Sequence, residues 1–595
     1  MPTQLDKLAS LEGGIIRDVS NWADVNRGFY KLTGMHTNIK SVLTKVSGSE
    51  KFTSTIVGGD QIRGLWQVRL NGTVYYFAAT ADGKIKRIQG ATITNLETGL
   101  ADSYWDGRTL GAIFFMAGGT TNGNKKILST LDVQNVGIAA PATAVIAVDS
   151  GVGGDPDGTY TYKRTFYNSL SNQESDSAPL STPLTVVTNE ISLSGLGGAV
   201  DAQVDKQRIY RTTGTGDGIW LLVVELPIAD TTYTDDTADG SLGAAYSDDN
   251  GVPPAASYLE LYNGMMFYAG LANPNESRVA VSGVLRPEAC DADNVYDLEP
   301  DEEDVITGIK KFGQAIAVYK QTSIWLGSGS TPDGMDFVRT RVNEGALGNW
   351  GIIPFASMHW YLGEKGVFTF NGLNETYMSS AIEEVYKTLD LATLANASGV
   401  YYKPLNLLIW NVRTADEPDF DQWLMYNIKT REWSTREHAT SKLSTYKDVY
   451  GRSVLWMGGV NGYTYNGDRG NADDGTDIVV DIILRGICLG FKDKQPDLDQ
   501  LYCFRHIELL YDPNGGSEPV TISYALDDPE STYYSAVNPA DGTSEFTPTT
   551  GERVRFDVPE LHSYGRLIFV RIQASSQEAL TIRGVRVEGN GLGRR

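Results

Sequence analysis

The chain has 595 residues, enough for about three to four units of ordinary domain size. Fifty Lys and Arg stand against 74 Asp and Glu, a formal charge of −24, and a surface this acidic opposes sequence-independent gripping of DNA or of an anionic membrane. Apolar residues at 41% argue against bulk disorder, three scattered cysteines (Cys290, Cys488, Cys503) against a disulfide framework or zinc cage, and the lack of any run near ~18–20 apolar residues against a membrane-crossing helix.

The start, MPTQLDKLAS, has no basic or apolar leader region, so no secretory signal is expected. Turn chemistry dominates the remainder of the chain. Glycine reaches 64 residues, and Asn-Gly and Asp-Gly, dipeptides that readily adopt the positive φ of tight hairpins, recur between short β-branched and aromatic runs. The expectation is an all-β protein built from many brief antiparallel strands.

In chain order, seven segments share one pattern, a turn followed by a strongly apolar run. They are Leu70–Phe77, Leu110–Met116, Tyr262–Tyr268, Phe312–Tyr319, Met358–Leu362, Lys403–Trp410 and Tyr450–Trp456. Their spacing is about 40 to 50 residues, apart from one wide gap between the second and third, and that period is the signature of a β-propeller of about seven blade-like units. Blades are covered on both faces by their neighbours, which explains continuous apolar runs where a half-exposed sheet would alternate. Two stacked β-sandwiches are the competing architecture.

The wide gap reads as an insertion. Residues 141–253, between Ala-Ala-Pro141 and Gly251-Val-Pro-Pro254, carry strand patterns at Tyr160–Phe166, Leu184–Val187, Glu190–Leu193, Gln207–Arg211, Ile219–Glu225 and Thr231–Thr234. That many short strands in so short a span suit a fibronectin-like or immunoglobulin-like sandwich. Ser380-Ala-Ile-Glu383 forms a capping box and predicts one short helix to about Leu389. From residue 471 onward, Ile478–Leu484, Arg505–Tyr511, Val520–Tyr524, Arg553–Phe556, Leu567–Ile572 and Leu580–Val587 predict a C-terminal β-sandwich of jelly-roll type. The resulting division is 1–140 (N-terminal segment and first blades), 141–253 (inserted sandwich), 254–470 (remaining blades) and 471–595 (C-terminal sandwich).

No catalytic residue, metal site or cofactor is expected, and the chain is read as a non-enzyme. The five histidines, His36, His359, His438, His506 and His562, share no metal-ligand spacing, and His359 beside Trp360 reads as an interior imidazole. No G-x-S-x-G elbow or phosphate-binding loop is present. Ser330–Phe337 approaches a sialidase Asp box, but Gly334 follows Asp333 one residue too early. Cys488 and Cys503 flank a strand pair, where two small buried hydrophobes fit better than a disulfide. The densest charge block contains Asp291, Asp293, Asp297, Glu299, Asp301, Glu302, Glu303 and Asp304. It reads as a solvated loop between blades, as a calcium-binding stretch without EF-hand spacing, or as a charged lining that keeps DNA at a distance.

Several stretches resemble the tail nozzle, or tail hub, proteins of short-tailed bacteriophages. They include Leu11-Glu-Gly-Gly-Ile-Ile-Arg-Asp18, Ile62-Arg-Gly-Leu-Trp66, Gly137-Ile-Ala-Ala-Pro141, Gly158-Thr-Tyr-Thr-Tyr162, Arg208-Ile-Tyr-Arg-Thr212, Tyr319-Lys-Gln-Thr-Ser-Ile-Trp325 and Gly366-Val-Phe-Thr-Phe-Asn-Gly372. Their order along residues 11 to 470 carries the likeness. The resemblance implies a virion tail protein, a ring of six identical subunits below the portal and its adaptor. That ring continues the DNA channel, retains the genome until ejection and anchors fibres or spikes. The acidic block then becomes a candidate channel or gate lining, since like-sign charge keeps phosphates off a wall. A host-attachment propeller that binds or hydrolyses carbohydrate is the alternative.

Overall fold

A computed structural model describes residues 4–15, 27–37, 42–214, 218–299, 304–492, 495–513, 518–549 and 551–594. Ile16-Arg17-Asp18 of the first nozzle-like stretch, and Asp301, Glu302 and Glu303 of the acidic block, lie outside those residues.

Seven units of four antiparallel strands form a ring of blades, six of them separate sheets and one, Gly399–Tyr402 through Glu432–Glu437, continuous with a strand of the C-terminal sandwich. Blade 1 starts with Ile62–Leu70, blade 2 with Asp106–Leu110, blade 3 with Tyr258–Tyr262 and blade 4 with Ile306–Phe312. Blades 5, 6 and 7 start with Ile353–Phe355, Gly399–Tyr402 and Thr440–Lys447. These first strands pack on one another in sequence, through the short turn Asn349–Gly351 between blades 4 and 5, and blade 7 returns to blade 1. The first strand of each blade is therefore innermost.

Each of the seven repeating segments lies on the hairpin that opens its blade. In blade 1, Leu70 pairs with Thr73 across Asn71 and Gly72 at φ +44° and +84°. Blade 3 repeats this with Asn263 and Gly264 at +48° and +78° between Tyr262 and Met265. Two successive positive φ angles are what a two-residue hairpin needs to match strand twist, and Asn-Gly adopts them at the lowest cost. The second strands are enclosed on both faces. Every residue of Met265–Ala269 and Leu407–Val412 is buried, which is why those stretches lack alternation. Apolar layers fill the spaces between blades, such as Phe77, Phe114 and Met116 between blades 1 and 2, or Ile62, Leu65 and Trp456 between blades 7 and 1.

Blade 7 takes its fourth strand from the N-terminal region. Ser49–Lys51 pairs with Thr464–Gly467, from Gly467↔Ser49 to Tyr465↔Lys51. Residues upstream complete no blade, though Thr33 bridges to Thr435 on the last strand of blade 6, and here the division 1–140 is redrawn. Gln4–Ile15 pairs antiparallel with Thr581–Arg594, and Arg27–Thr33 with Ile478–Leu484. Both are strands of the C-terminal sandwich. One sheet holds Gln4–Ile15, Thr581–Arg594, Gln500–Tyr511 and Arg553–Asp557; the other holds Arg27–Thr33, Ile478–Leu484, Ile568–Ser576 and Val520–Leu526. Between them lie Leu11, Phe504, Ile507 and Val587 from one side and Val480, Ile522, Val570 and Ile572 from the other. Pairing between chain ends leaves no local trace, so periodicity along the sequence could not reveal it.

The insertion between blades 2 and 3 is a separate sandwich. Ile146–Gly153, Asn189–Ser194 and Tyr233–Asp235 form one sheet, and Gln173–Glu174, Tyr162–Asn168, Lys206–Arg211 and Leu221–Pro227 the other. Tyr160, Tyr162, Ile191, Leu193 and Ile209 fill its core. The predicted helix is interrupted. A 3-10 turn Ser380–Ile382 leads into Glu383–Tyr386, and a second short helix, Leu391–Leu394, follows. The Ser380–Glu383 capping box is not formed, since neither of the first two starts carries a side-chain cap.

Candidate functional site: the propeller axis and the acidic tract

The inner strands carry an unexpected set of charges. Arg108 stands two residues before Leu110, Glu260 two before Tyr262 and Lys310 two before Phe312. Each is thus at the same repeat position in blades 2, 3 and 4. Asp106 opens the inner strand of blade 2, and Lys442 is the third residue of the inner strand of blade 7. Folding converges these scattered residues on the axis, and Asp106, Glu260, Lys310 and Lys442 are all buried.

Arg108 is the hub. Its Nη1 donates to Asp106 Oδ1 at 2.8 Å, while Nε and Nη2 donate to the two Glu260 oxygens at 3.1 and 2.9 Å. Asp106 Oδ2 accepts from the Leu259 N–H at 3.2 Å and from Asn349 Nδ2 at 2.9 Å. Asn349 precedes blade 5 and accepts in turn from the Ile309 N–H at 3.1 Å. A side chain leading into blade 5 therefore bonds one in blade 2, across the ring. Burial opposes ionisation of Asp106 and Glu260, but Arg108 and Lys310 outweigh it and hold both carboxyls below their usual range. Lys310 is lowered by burial, with Asp106 and Glu260 acting against that.

A second layer continues from blade 1. Arg63 forms a two-point pair with Asp102, at 2.7 and 2.8 Å, and donates to the Tyr104 hydroxyl at 2.9 Å. Its guanidinium lies 4.6 Å from the Tyr104 ring centre, and that ring packs on Trp350 at 5.4 Å. Lys442 Nζ sits 4.3 Å from the Trp350 ring centre and 5.5 Å from that of Tyr104. The axis is thus closed by hydrogen bonds, ion pairs and tilted ring contacts. Such a cluster ties blades together: removing one member of a buried ion network leaves its partners charged in a poorly solvated place.

The acidic block occupies four different settings. Asp291 and Asp293 lie in an exposed turn where Asp291 Oδ1 accepts from the Asp293 N–H at 2.8 Å. Asp297, on the outermost strand of blade 3, pairs with Arg278 at 2.7 and 2.9 Å, and that contact lowers its pKa. Glu299 receives Arg339 at 2.7 Å. Asp304 turns inward and is buried. It accepts from the Gln321 N–H at 2.7 Å, the Thr322 hydroxyl at 2.6 Å and the Ser323 hydroxyl at 3.2 Å. The described members follow the crossover from the rim of blade 3 to the inner strand of blade 4. They do not share one surface.

The remaining polar groups are accounted for locally. His359 is buried, with Nε2 3.1 Å from the Lys311 carbonyl and Nδ1 2.7 Å from the Tyr319 hydroxyl. A carbonyl only accepts, so Nε2 carries the proton and Nδ1 accepts from Tyr319; burial lowers the imidazole pKa to about 4. All three cysteines are free thiols, and burial pushes Cys290 up to about 12. Among the described residues no three His, Cys, Asp or Glu side chains converge to hold a metal ion, and no helix is long and apolar enough to cross a membrane. A buried pair, Lys126 Nζ to Glu288 Oε2 at 2.5 Å, links blade 2 to blade 3 and is joined by the Gly137 N–H at 3.1 Å; Lys126 Nζ also donates to Ser171 Oγ of the inserted sandwich at 3.2 Å. One cleft, about 680 Å³, lies between blade 5 and the short helices, with Phe368, Tyr386 and Leu389 below a rim of Glu364, Glu383 and Lys387.

Comparison with protein-family models and with curated proteins finds no match. Among solved structures, the computationally designed Ika8 protein is 11% identical, matching 70% of this chain and 99% of its own at a TM-score of 0.33. Sqt1 of Saccharomyces cerevisiae is 8% identical over 71% of this chain and 100% of its own, with a TM-score of 0.33. BamB of Moraxella catarrhalis is 12% identical over 70% and 99%, with a TM-score of 0.32. Scores this low bear on no function, and the propeller rests on the strand pairing described above.

Proposed function

We propose that the chain is a structural subunit of the tail nozzle of a short-tailed bacteriophage. Six copies form a ring below the portal and its adaptor, wall the DNA path, retain the packaged genome until ejection and carry fibres or spikes on the outer face. The resemblance of ordered stretches along residues 11 to 470 suggests the assembly, and one structural observation supports the subunit's part in it. The propeller axis is closed by the Asn349–Asp106 hydrogen bond and the ion network around it. A duplex cannot thread a ring so crossed, so in this reading each propeller is a solid block of wall and the path runs between copies. Subunits of a closed ring meet through heterologous faces. The −24 charge fits a wall along which DNA slides without being held. Asp291, Asp293, Asp297 and Glu299, without the buried Asp304, are candidates for that wall or for the outer face.

A second reading, carbohydrate binding or hydrolysis at host attachment, draws on the cleft beside blade 5, whose volume and aromatic floor under carboxylates suit a small ligand. One set of measurements separates the two. The nozzle reading expects a stable six-fold ring by native mass, alone or with the adaptor, and copies in multiples of six per particle. A monomer under both conditions, together with release of reducing sugar from host polysaccharide that Glu383→Gln abolishes, would replace it with the second.

A further inference from the structure

The axial cluster contains more cations than anions. Arg63, Arg108, Lys310 and Lys442 face Asp102, Asp106 and Glu260, and the carboxylates are already engaged: Asp102 by Arg63, Asp106 and Glu260 by Arg108. Lys310 and Lys442 are left over, and the second of them is an orphan donor. Its residue is 6% exposed, and its Nζ is buried without a hydrogen-bond partner among the described residues. The indole it covers repeats the deficit, since Trp350 Nε1 is also a buried donor without an acceptor there. Two orphan donors on one side-chain pair, one of them an amine, are costly in a folded interior unless an acceptor completes them.

We propose that the propeller axis holds a small inorganic anion of halide size, bound by Lys442 Nζ and Trp350 Nε1. The flanking rings of Trp350 and Tyr104 come within 4.3 and 5.5 Å of the amine. Two donors suit a compact, weakly hydrated ion and not a tetrahedral oxyanion, which would need more of them. An anion here also answers the electrostatics of the site. Burial drives the Lys442 amine well below its ordinary pKa, Lys310 and Arg63 push the same way, and Asp106 is the opposing charge. The ion supplies the missing negative charge and acts as a keystone between blade 7 and the Asn349–Gly351 turn. It is a structural role, independent of how many copies assemble.

Thermal unfolding of the full chain tests it at constant ionic strength, replacing sodium gluconate stepwise with sodium chloride or bromide. Above half-saturation, each tenfold rise in halide should raise the folded-to-unfolded ratio about tenfold. Lys442→Met should remove that dependence, while Asp297→Asn, at the rim, should retain it. Crystals grown in bromide should show an anomalous peak within hydrogen-bonding distance of Lys442 Nζ. Equal stability in gluconate and halide, or a water at that position with bromide elsewhere, would overturn the proposal. Should Lys442→Met fail to fold, the wild-type halide series and the bromide map still decide.

Discussion

The propeller axis and the acidic tract make opposite use of charge. At the axis, residues drawn from positions 63 to 442 meet as a network, mostly buried apart from Asp102 at its edge, in which every carboxylate has a cationic partner. In the tract, acids crowded between 291 and 304 disperse into an exposed turn, two surface ion pairs and one buried acceptor. Density along the chain therefore says little about electrostatic importance. Desolvation decides it: a screened surface pair contributes little, whereas a buried pair that loses a member costs several kcal/mol.

The largest expected effect is at the hub. Arg108→Met strips Asp106 and Glu260 of their common counter-charge and should cost about 3 to 5 kcal/mol in urea unfolding. The double variant Arg108→Met/Glu260→Met should recover part of it, because one stranded carboxylate has gone. Equal losses in single and double variants would mean that packing, not charge, governs the axis.

Next comes a pH effect from a buried group in the neighbouring wall of blade 5. His359 has its folded pKa lowered to about 4 from 6.5, so the unfolded chain takes up the proton first as pH falls. Its contribution is complete above about 6.5 and is lost on the way down to about 4, a change of about 3 kcal/mol at ~1.36 kcal/mol per pKa unit. His438, also lowered by burial to about 4, acts in the same direction. His359→Gln should flatten only its own share of the acid limb of stability measured between pH 7 and 4.

The smallest effects lie in the tract and contrast within it. Asp304→Ala leaves two hydroxyls and the Gln321 N–H without their acceptor and should cost about 1 to 3 kcal/mol, with faster amide exchange at Gln321. Asp297→Asn should cost less than about 1 kcal/mol, and its effect should vanish at high salt. If Asp297→Asn proved the more damaging, burial would not be the right divider between the two regions.

The blades were legible because each repeats a local cause. Turn dipeptides such as Asn71-Gly72 and doubly buried strands such as Met265–Ala269 leave their mark on neighbouring residues. The inserted sandwich was legible for the same reason, although its first strand, Ile146–Gly153, was missed; Ile146, Val148 and Val152 point outward there and leave no clean alternation. The predicted helix is cut short because Ser380–Ile382 closes as a 3-10 turn and no side chain caps it or Glu383–Tyr386. The axial network was not found, yet a signal existed. Arg108, Glu260 and Lys310 share one place in three consecutive repeats, and a charge at a repeating inner-strand position is worth aligning before any contiguous run of acids. Lys442 and Asn349 gave no such clue, since they enter the network only through ring closure.

Ring closure itself bears on how the polypeptide is made. Ser49–Lys51 finishes blade 7, and Gln4–Ile15 lies against Thr581–Arg594. Strands synthesised early are thus committed to partners synthesised hundreds of residues later. Neither blade 7 nor the C-terminal sandwich can be completed until those later partners exist, so nascent intermediates carry unpaired strand edges until then. Any fusion or truncation at the amino end would strike two units at once, however far apart they lie in the gene.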